Sequence, residues 1–128
     1  MVSDSGGYGV KVTHDSDDVA VVALRGEHNQ YSSRRLSETL ADEIAAGRNV
    51  VVDLSEADFL DSTTAGALLV ADQRATTSGR RLVIALTEET PLPVVRLFET
   101  ARLRSILRVA PSLGDALSVA RASLESDS

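Results

Sequence analysis

The order of apolar patterns along this chain restricts the folds that it can form. Two strand-like segments come first, and after them amphipathic helical patterns alternate with short runs rich in Val, Ile and Leu. A helix between two strands returns the chain to the same end of a sheet, so the later strands are expected to pair in parallel through right-handed connections. The sequence therefore predicts an α/β fold: a mixed, mainly parallel sheet of about five strands in the order β β α β α β α β α, covered by about four helices.

Periodicity and turn residues set the expected boundaries of these elements. Alternating side chains predict a strand at Tyr8–Thr13, and the apolar run Val19–Leu24 predicts a buried strand that completes a hairpin. Apolar residues at every fourth position predict a helix from Ser32 or Ser33 to Ala46, which stops at the glycine that follows. The remaining predicted elements are a strand at 49–54, a loop at 55–60, a helix at 63–77, a strand at 82–86, a helix at 94–101, a strand at 106–109 and a helix that Pro111 opens.

Composition indicates one soluble domain with protein partners. At 128 residues, of which 43% are hydrophobic, the chain can bury a core without disulfides or a metal, and it contains no cysteine. Thirteen basic and nineteen acidic residues give a net charge of −6, which disfavours nucleic acid as a partner because phosphate binding needs a basic face. We expect the domain to span residues 8–122, between flexible tails at 1–7 and 123–128.

Membrane insertion is not expected from this sequence. The longest apolar runs, Val19–Leu24 and Ala65–Ala71, are far shorter than the roughly 20 residues that cross a bilayer. Residues Met1–Gly7 show no basic region followed by an apolar core, so they do not resemble a signal peptide. We therefore expect a cytoplasmic protein that does not insert directly into a membrane.

Catalytic motifs are missing from the sequence. The histidines are His14 and His28, and no serine stands in a G-x-S-x-G elbow beside which one of them could act as a base. No G-x-x-x-x-G-K-[ST] or G-x-G-x-x-G loop is present to hold phosphates, and a lone imidazole is rarely a metal site. We predict no enzymatic activity, no catalytic residue, no cofactor and no metal.

Three carboxylates require a separate interpretation. Asp53, Asp58 and Asp61 cluster around the strand end and loop that precede the second predicted helix. Paired acids can act as general acid and base, so a small hydrolase using Asp53 or Asp61 is a third-ranked hypothesis. The favoured interpretation is structural: Asp53 closes a strand, Asp58 lies in the loop, and Asp61 caps the helix or stands next to the capping residue.

Hydroxyl side chains are concentrated at the start of that helix. Ser62, Thr63 and Thr64 follow Asp61 and precede a run rich in Ala and Leu. Capping needs one hydroxyl, whereas loops at the carboxyl ends of parallel strands are also where sites form. We predict that Ser62 is accessible at the N-terminal edge of the helix, where another protein could phosphorylate it. On the same helix, Leu68 and Leu69 are expected to be largely buried.

Several segments together resemble the STAS domain, the family of bacterial anti-sigma factor antagonists and of related domains on sulphate transporters. The resemblance covers about residues 8–122. It depends on a strand that ends in Gly-Glu-hydrophobic-Asp, a strand that closes in Asp-Leu, and hydrophobic-Asp-Ser-[Ser or Thr]-Gly at the start of the next helix. The matching segments here are Leu24–Asn29 (LRGEHN), Val51–Ser55 (VVDLS) and Phe59–Thr64 (FLDSTT), and Leu97–Leu103 (LFETARL) resembles the family's third helix and the turn after it.

This resemblance implies a partner-switching mechanism. The unphosphorylated antagonist binds an anti-sigma factor that is also a serine/threonine kinase, and phosphorylation at Ser62 or Thr63 breaks the complex. A phosphatase is a candidate second partner. The residues that the resemblance assigns to partner binding are Glu27, His28, Asn29, Asp61, Thr64 and Ala65. The alternative is a STAS module that docks constitutively, as a scaffold or as an accessory subunit of a membrane transport complex.

Two positions depart from the family pattern. Thr64 stands where many members have Gly, and its stiff β-branched side chain is expected to crowd a close approach by a kinase or partner backbone. His28 and Asn29 stand where many members have a hydrophobic residue and Asp, which keeps hydrogen bonding but loses a charge. Both departures are expected at the partner face, so we predict that they affect recognition more than the fold.

Overall fold

The computed structural model describes residues 8–126, and the secondary structure follows the predicted order. The elements within this range are β1 (Tyr8–Ser16), β2 (Val19–His28), α1 (Gln30–Ala45), β3 (Asn49–Leu60), α2 (Ser62–Thr77), β4 (Leu82–Ala85), α3 (Leu92–Thr100), β5 (Arg108–Ala110) and α4 (Leu113–Ser126), with a short 3₁₀ turn at Leu103–Ser105. The strands form one sheet in the order β1-β2-β3-β4-β5. β1 is antiparallel to β2, and all other pairs are parallel, which confirms the predicted mixed α/β architecture.

Both faces of the sheet are covered, which explains why its central strands are apolar almost without interruption. On one face, alternate strand residues such as Val22, Val52 and Ile84 pack against α1, α2 and α3. On the other face, the intervening residues pack against α4. These residues are Val19, Val21, Val51, Val83, Ala85 and Ala110 from the sheet, with Ala116 and Ala120 from the helix.

A buried asparagine joins α4 to the sheet. Asn49, the first residue of β3, is 1% exposed. Its Nδ2 donates to the carbonyl of Ala120 in α4 at 2.9 Å, and its Oδ1 accepts from the backbone N–H of Arg81 at 2.9 Å. The side chain thereby satisfies one backbone group immediately before β4 and one in α4, which fixes where the helix lies on the sheet.

The prediction of a loop at 55–60 is wrong, because β3 continues without a break to Leu60. This segment pairs with the end of β2, which itself extends to His28: Glu27 lies opposite Phe59, and His28 opposite Leu60. The pairing shifts register on both sides of Gly26, whose φ of +80° is a conformation that residues with a Cβ rarely adopt. Long-range pairing thus outweighs the local preference of Ser, Glu and Asp for a loop.

Other boundaries move by smaller amounts. β1 extends to Ser16, and α1 ends at Ala45 before Gly47, whose φ of +86° provides the expected stop. α4 continues to Ser126, so residues 123–126 are helical rather than the predicted tail. The predicted tail at 1–7 and the last two residues lie outside the described residues. The remaining ends of β4, β5 and α3 shift by one or two residues.

Candidate functional site

The N-termini of α1 and α2 lie side by side at one edge of the sheet. Each helix begins directly after a parallel strand, α1 after β2 and α2 after β3, so both N-termini stand at the carboxyl ends of those strands. The backbone N–H of Asp61 donates to the carbonyl of His28 at 3.1 Å and holds the two connections together. This edge carries most of the residues that the sequence assigned to a site.

Asp61 caps α2 and thereby sets the position of the two candidate phosphoacceptors. Its Oδ1 accepts from the backbone N–H of Thr64 at 2.9 Å and from the Thr64 hydroxyl at 3.0 Å. The cap leaves Ser62 and Thr63 as the first residues of the helix, and both side chains are exposed. The predicted place of Ser62, at the accessible N-terminal edge of this helix, is confirmed.

A reciprocal capping box starts α1. The Asn29 side chain accepts from the backbone N–H of Tyr31 at 2.9 Å, while Ser32 Oγ accepts from the backbone N–H of Asn29 at 3.0 Å. The sequence placed the helix start at Ser32 or Ser33, whereas the cap moves it to Gln30. Tyr31 then projects from the first turn with 81% of its surface exposed, an aromatic residue that the sequence did not assign to the site.

His28 lies inside the protein, with no exposed surface. Its Nε2 donates to the carbonyl of Arg25 at 3.1 Å, so Nδ1 of the neutral ring can accept from the Ser32 hydroxyl at 3.3 Å. Burial lowers the pKa of His28 from 6.5, an effect that backbone hydrogen bonds with Arg25 and Gly9 oppose in part. The expectation that the His28 side chain contacts a partner is therefore corrected: it supports the β2–α1 connection from within.

Thr64 and Ala65 need the same correction. Thr64 is 0% exposed and Ala65 is 6% exposed, because both side chains turn from the first turn of α2 toward the core and the Asp61 cap. The Thr64 side chain is therefore not placed to crowd an approaching backbone. Glu27 and Asn29 are exposed and Asp61 is half-buried, so these predicted partner-binding residues remain available on the surface.

Ser62 and Thr63 open into different grooves. Ser62 lines a groove of about 550 Å³ between the end of β3 and α3, together with Phe59, Leu92 and Arg96; we call it the Phe59 groove. Thr63 lines a groove of about 340 Å³ between α1 and α2, which we call the Thr63 groove. Adjacent helical positions point about 100° apart, so two neighbouring hydroxyls reach separate surfaces.

Exposed apolar side chains identify the Phe59 groove as an unusual part of this surface. Phe59 is 46% exposed and Leu92 is 57% exposed, although large apolar side chains are mostly buried in this domain. Phe59 belongs to the segment FLDSTT, and the sequence did not predict which way its side chain points because a loop was expected there. Once β3 is known to reach Leu60, alternation places Leu60 in the core and Phe59 on the opposite side.

The structure does not bring the three aspartates into one catalytic arrangement. Asp53 Oδ1 accepts from the backbone N–H and hydroxyl of Ser55 at 3.0 and 2.7 Å, and Ser55 Oγ lies 3.0 Å from Thr87 Oγ1. These hydrogen bonds connect β3 to the loop after β4, and the three residues line a cavity of about 720 Å³ on the α4 face of the sheet. Asp61 lines the Phe59 groove instead, and Asp58 is exposed. The paired acids of a hydrolase are not assembled.

Residues 8–126 lack two features that a metal-binding or membrane-spanning protein would show. Within this range no group of three or more His, Asp or Glu side chains is arranged to hold a metal ion. No helix in the same range combines the length and the apolar character that crossing a bilayer requires.

This architecture is the STAS fold, as solved structures of anti-sigma factor antagonists show. An anti-sigma factor antagonist from Mycobacterium paratuberculosis superposes with a TM-score of 0.76 at 22% identity, covering 94% of this chain and 99% of that one. The phosphorylated form of SpoIIAA from Bacillus has a TM-score of 0.64 at 18% identity and covers 86% and 97%. An RsbS variant from Moorella thermoacetica has a TM-score of 0.69 at 23% identity and covers 91% and 97%.

The sequence itself matches the profile of a family described as "Mlab, STAS domain" over residues 12–119. The chain belongs to this STAS family.

Proposed function

We propose that this protein is an anti-sigma factor antagonist, which binds an anti-sigma factor with kinase activity and is released when Ser62 is phosphorylated. The observation that carries the proposal is the exposed Ser62 hydroxyl at the first position of α2, at the rim of an apolar groove. The structural similarity to anti-sigma factor antagonists supports the same class of partner. In this role the protein is a kinase substrate, not an enzyme, and acts in the cytoplasm.

The partner surface that we propose is one exposed face, which we call the switch face. It consists of Glu27, Asn29, Tyr31, Phe59 and Ser62, contributed by the ends of β2 and β3 and the starts of α1 and α2. Tyr31 and Phe59 supply aromatic contact area, which contributes strongly to binding when a partner buries it. Polar residues around them provide the hydrogen-bonding rim.

Charge explains why phosphorylation would release such a partner. A phosphate on Ser62 adds about −1.5 to −2 charges at neutral pH, at the edge of an apolar contact and close to Asp61. Burying that charge against a partner costs desolvation energy, whereas in the free protein it remains in water near the positive end of α2. Phosphorylation therefore weakens binding more than it weakens the fold.

Ser62 is favoured over Thr63 because of their surroundings, and Thr63 remains the second candidate. Ser62 stands beside exposed Phe59 and Leu92. Thr63 lies in a groove whose lining residues are mainly small or polar. A modification of Ser62 thus acts directly on the apolar surface that a partner would cover.

Substitution at the two candidate sites tests the proposal. The full-length protein is used to capture its partner from the native cell, and the affinity of the identified partner is measured by titration calorimetry. Ser62→Asp is expected to lose at least about tenfold in affinity, or about 1.4 kcal/mol, with a nearly unchanged melting temperature. Ser62→Ala is expected to retain binding but to block phosphorylation by the captured kinase.

Ser118→Asp provides the matched control. Ser118 is exposed on α4, on the opposite side of the sheet, so the added carboxylate is equal but distant from the switch face. Its affinity for the partner should match that of the unmodified protein. Equal binding by Ser62→Asp, Thr63→Asp and the parent would overturn phosphorylation control. A constitutive docking module would then be the better account, and capture of a permease or transport ATPase would support it.

A further inference from the structure

Arg96 is the cation of the Phe59 groove. The residues that line this groove include two charged side chains, Asp61 and Arg96. Asp61 is engaged as the α2 cap, through two hydrogen bonds from Thr64. Arg96 projects from α3 with an exposed side chain, and within residues 8–126 no carboxylate forms an ion pair with its guanidinium. Among the described residues, the groove thus presents a guanidinium with no carboxylate partner in a lining that also contains Ser62.

We propose that Arg96 is a phosphate-binding residue, whose guanidinium pairs with the phosphate of phosphorylated Ser62 across the Phe59 groove. The inference rests on the proposed phosphorylation of this hydroxyl. A guanidinium offers two parallel N–H donors that match phosphate oxygens, and such a pair forms charge-assisted hydrogen bonds. Both residues line the same groove, which places the guanidinium on the surface that the Ser62 hydroxyl also faces.

Pairing would change the apolar surface as well as the charge. Arg96 and Leu92 line the groove from α3, and Ser62 and Phe59 line it from the start of α2 and the end of β3, so a link between Arg96 and Ser62 would span a groove with an apolar lining. The aliphatic stem of the arginine then covers surface that Phe59 and Leu92 expose in the unphosphorylated protein. Phosphorylation would therefore both add charge to the switch face and close the groove beside it.

Thr63 does not share this arrangement. The charged side chains in the Thr63 groove are Glu38 and Arg74. Arg74 lies about three turns further along α2, roughly 16 Å away at 1.5 Å per residue, whereas Glu38 is an anion. Both grooves therefore contain one anion and one cation, and they differ in that the cation of the Thr63 groove lies far along α2 from Thr63. A phosphate at Thr63 can therefore be compared with a phosphate at Ser62 within the same protein.

The pKa of the installed phosphate tests the proposal directly. Phosphoserine is incorporated at position 62 of the full chain by genetic code expansion, and its second ionisation is followed by ³¹P NMR as a function of pH. A nearby guanidinium stabilises the dianion and lowers this pKa from its usual value of about 6. We expect the phosphate pKa to rise by about 0.5 to 1 unit in Arg96→Gln. It should rise by less in Arg96→Lys, which keeps the positive charge but lacks the two parallel N–H donors.

Two controls isolate the pair. Arg104→Gln removes the same charge from an exposed residue outside the groove and should leave the phosphoserine pKa unchanged. Phosphothreonine installed at position 63 should give the same pKa with Arg96 or with Gln at position 96. Equal phosphoserine pKa values in the parent and in Arg96→Gln would overturn the inference, as would an equal shift in Arg104→Gln.

The titration is independent of any kinase or binding partner, because the phosphate is installed during synthesis. An unchanged pKa in Arg96→Gln would therefore overturn the role of Arg96 and leave the proposed switch intact. Conversely, full partner binding by Ser62→Asp and Thr63→Asp would overturn the switch, whatever the phosphate pKa shows.

Discussion

Removing the Asp61 carboxylate should destabilise the whole domain, although this residue stands at the surface end of a helix. Its Oδ1 accepts two hydrogen bonds, one from the backbone N–H and one from the hydroxyl of Thr64. Asp61→Ala loses the N-cap, which is worth about 0.5 to 2 kcal/mol. It also leaves the Thr64 hydroxyl, on a residue with no exposed surface, without its acceptor, at a cost of about 1 to 3 kcal/mol.

These terms together predict a loss of about 1.5 to 5 kcal/mol in the free energy of unfolding. Urea denaturation followed by circular dichroism measures the loss, and an unchanged slope with denaturant shows that the native state stays compact. Asp61→Asn is the matched variant, because the amide oxygen can still accept while the charge is removed. We expect it to lose less than about 1 kcal/mol.

A double-mutant cycle with Thr64→Val separates the cap from the hydroxyl. If the buried hydroxyl bond contributes as described, Asp61→Ala costs less in the Thr64→Val background, and the difference is about 1 kcal/mol or more. The reasoning would be refuted if Asp61→Ala cost less than about 0.5 kcal/mol, or if the two substitutions were additive. A small cost would mean that the cap contributes little to stability, and additivity would mean that the hydroxyl bond does not.

Three further substitutions test the core and its buried polar groups. Leu68→Ala should cost about 2 to 5 kcal/mol in urea denaturation, because Leu68 is 0% exposed; a loss below about 0.5 kcal/mol would contradict this packing. Asn49→Ala should cost about 2 to 4 kcal/mol, since it strips hydrogen bonds from the Ala120 carbonyl and the Arg81 N–H; equal stability would show that water replaces both. Because the pKa of His28 is lowered in the folded protein, the unfolded chain binds a proton at this residue more readily. The stability that neutral His28 contributes is therefore complete above pH 6.5 and declines as the pH falls below that value. His28→Gln should remove this part of the pH dependence, and identical pH profiles would contradict its burial in the neutral form.

The sequence was sufficient to predict the fold class because apolar periodicity reports directly on which residues face a core. Leu68 was predicted to be buried and is, whereas Leu69, on the same helix, is half-buried. The start of α2 was also predictable, because an aspartate before a hydroxyl-rich turn is a strong capping signal. The position of Ser62 follows from that signal.

Features that depend on contacts between distant parts of the chain could not be predicted from the local sequence. The residues after Asp53 are polar enough to indicate a loop, and they become a strand because the end of β2 pairs with them. The burial of His28 depends on the same pairing, because β2 extends to His28 where it lies opposite Leu60 of β3. The Phe59 groove is formed by β3, α2 and α3 together, so neither Arg96 nor Leu92 carries a local signal of its place beside Ser62.

The order of the strands also has a consequence for how the chain reaches its native state. Because the sheet order is β1-β2-β3-β4-β5, each strand can add to the edge left by the preceding one as the chain leaves the ribosome. α4 is the exception, since its contacts return to the beginning of the chain: Arg121 pairs with Asp15 across 106 residues, and Ala120 bonds Asn49 across 71. Closing such long loops comes late in folding. Until α4 docks, the valines on the sheet face that it covers stay exposed to solvent. A nascent chain without α4 therefore presents an apolar sheet surface that chaperones would bind.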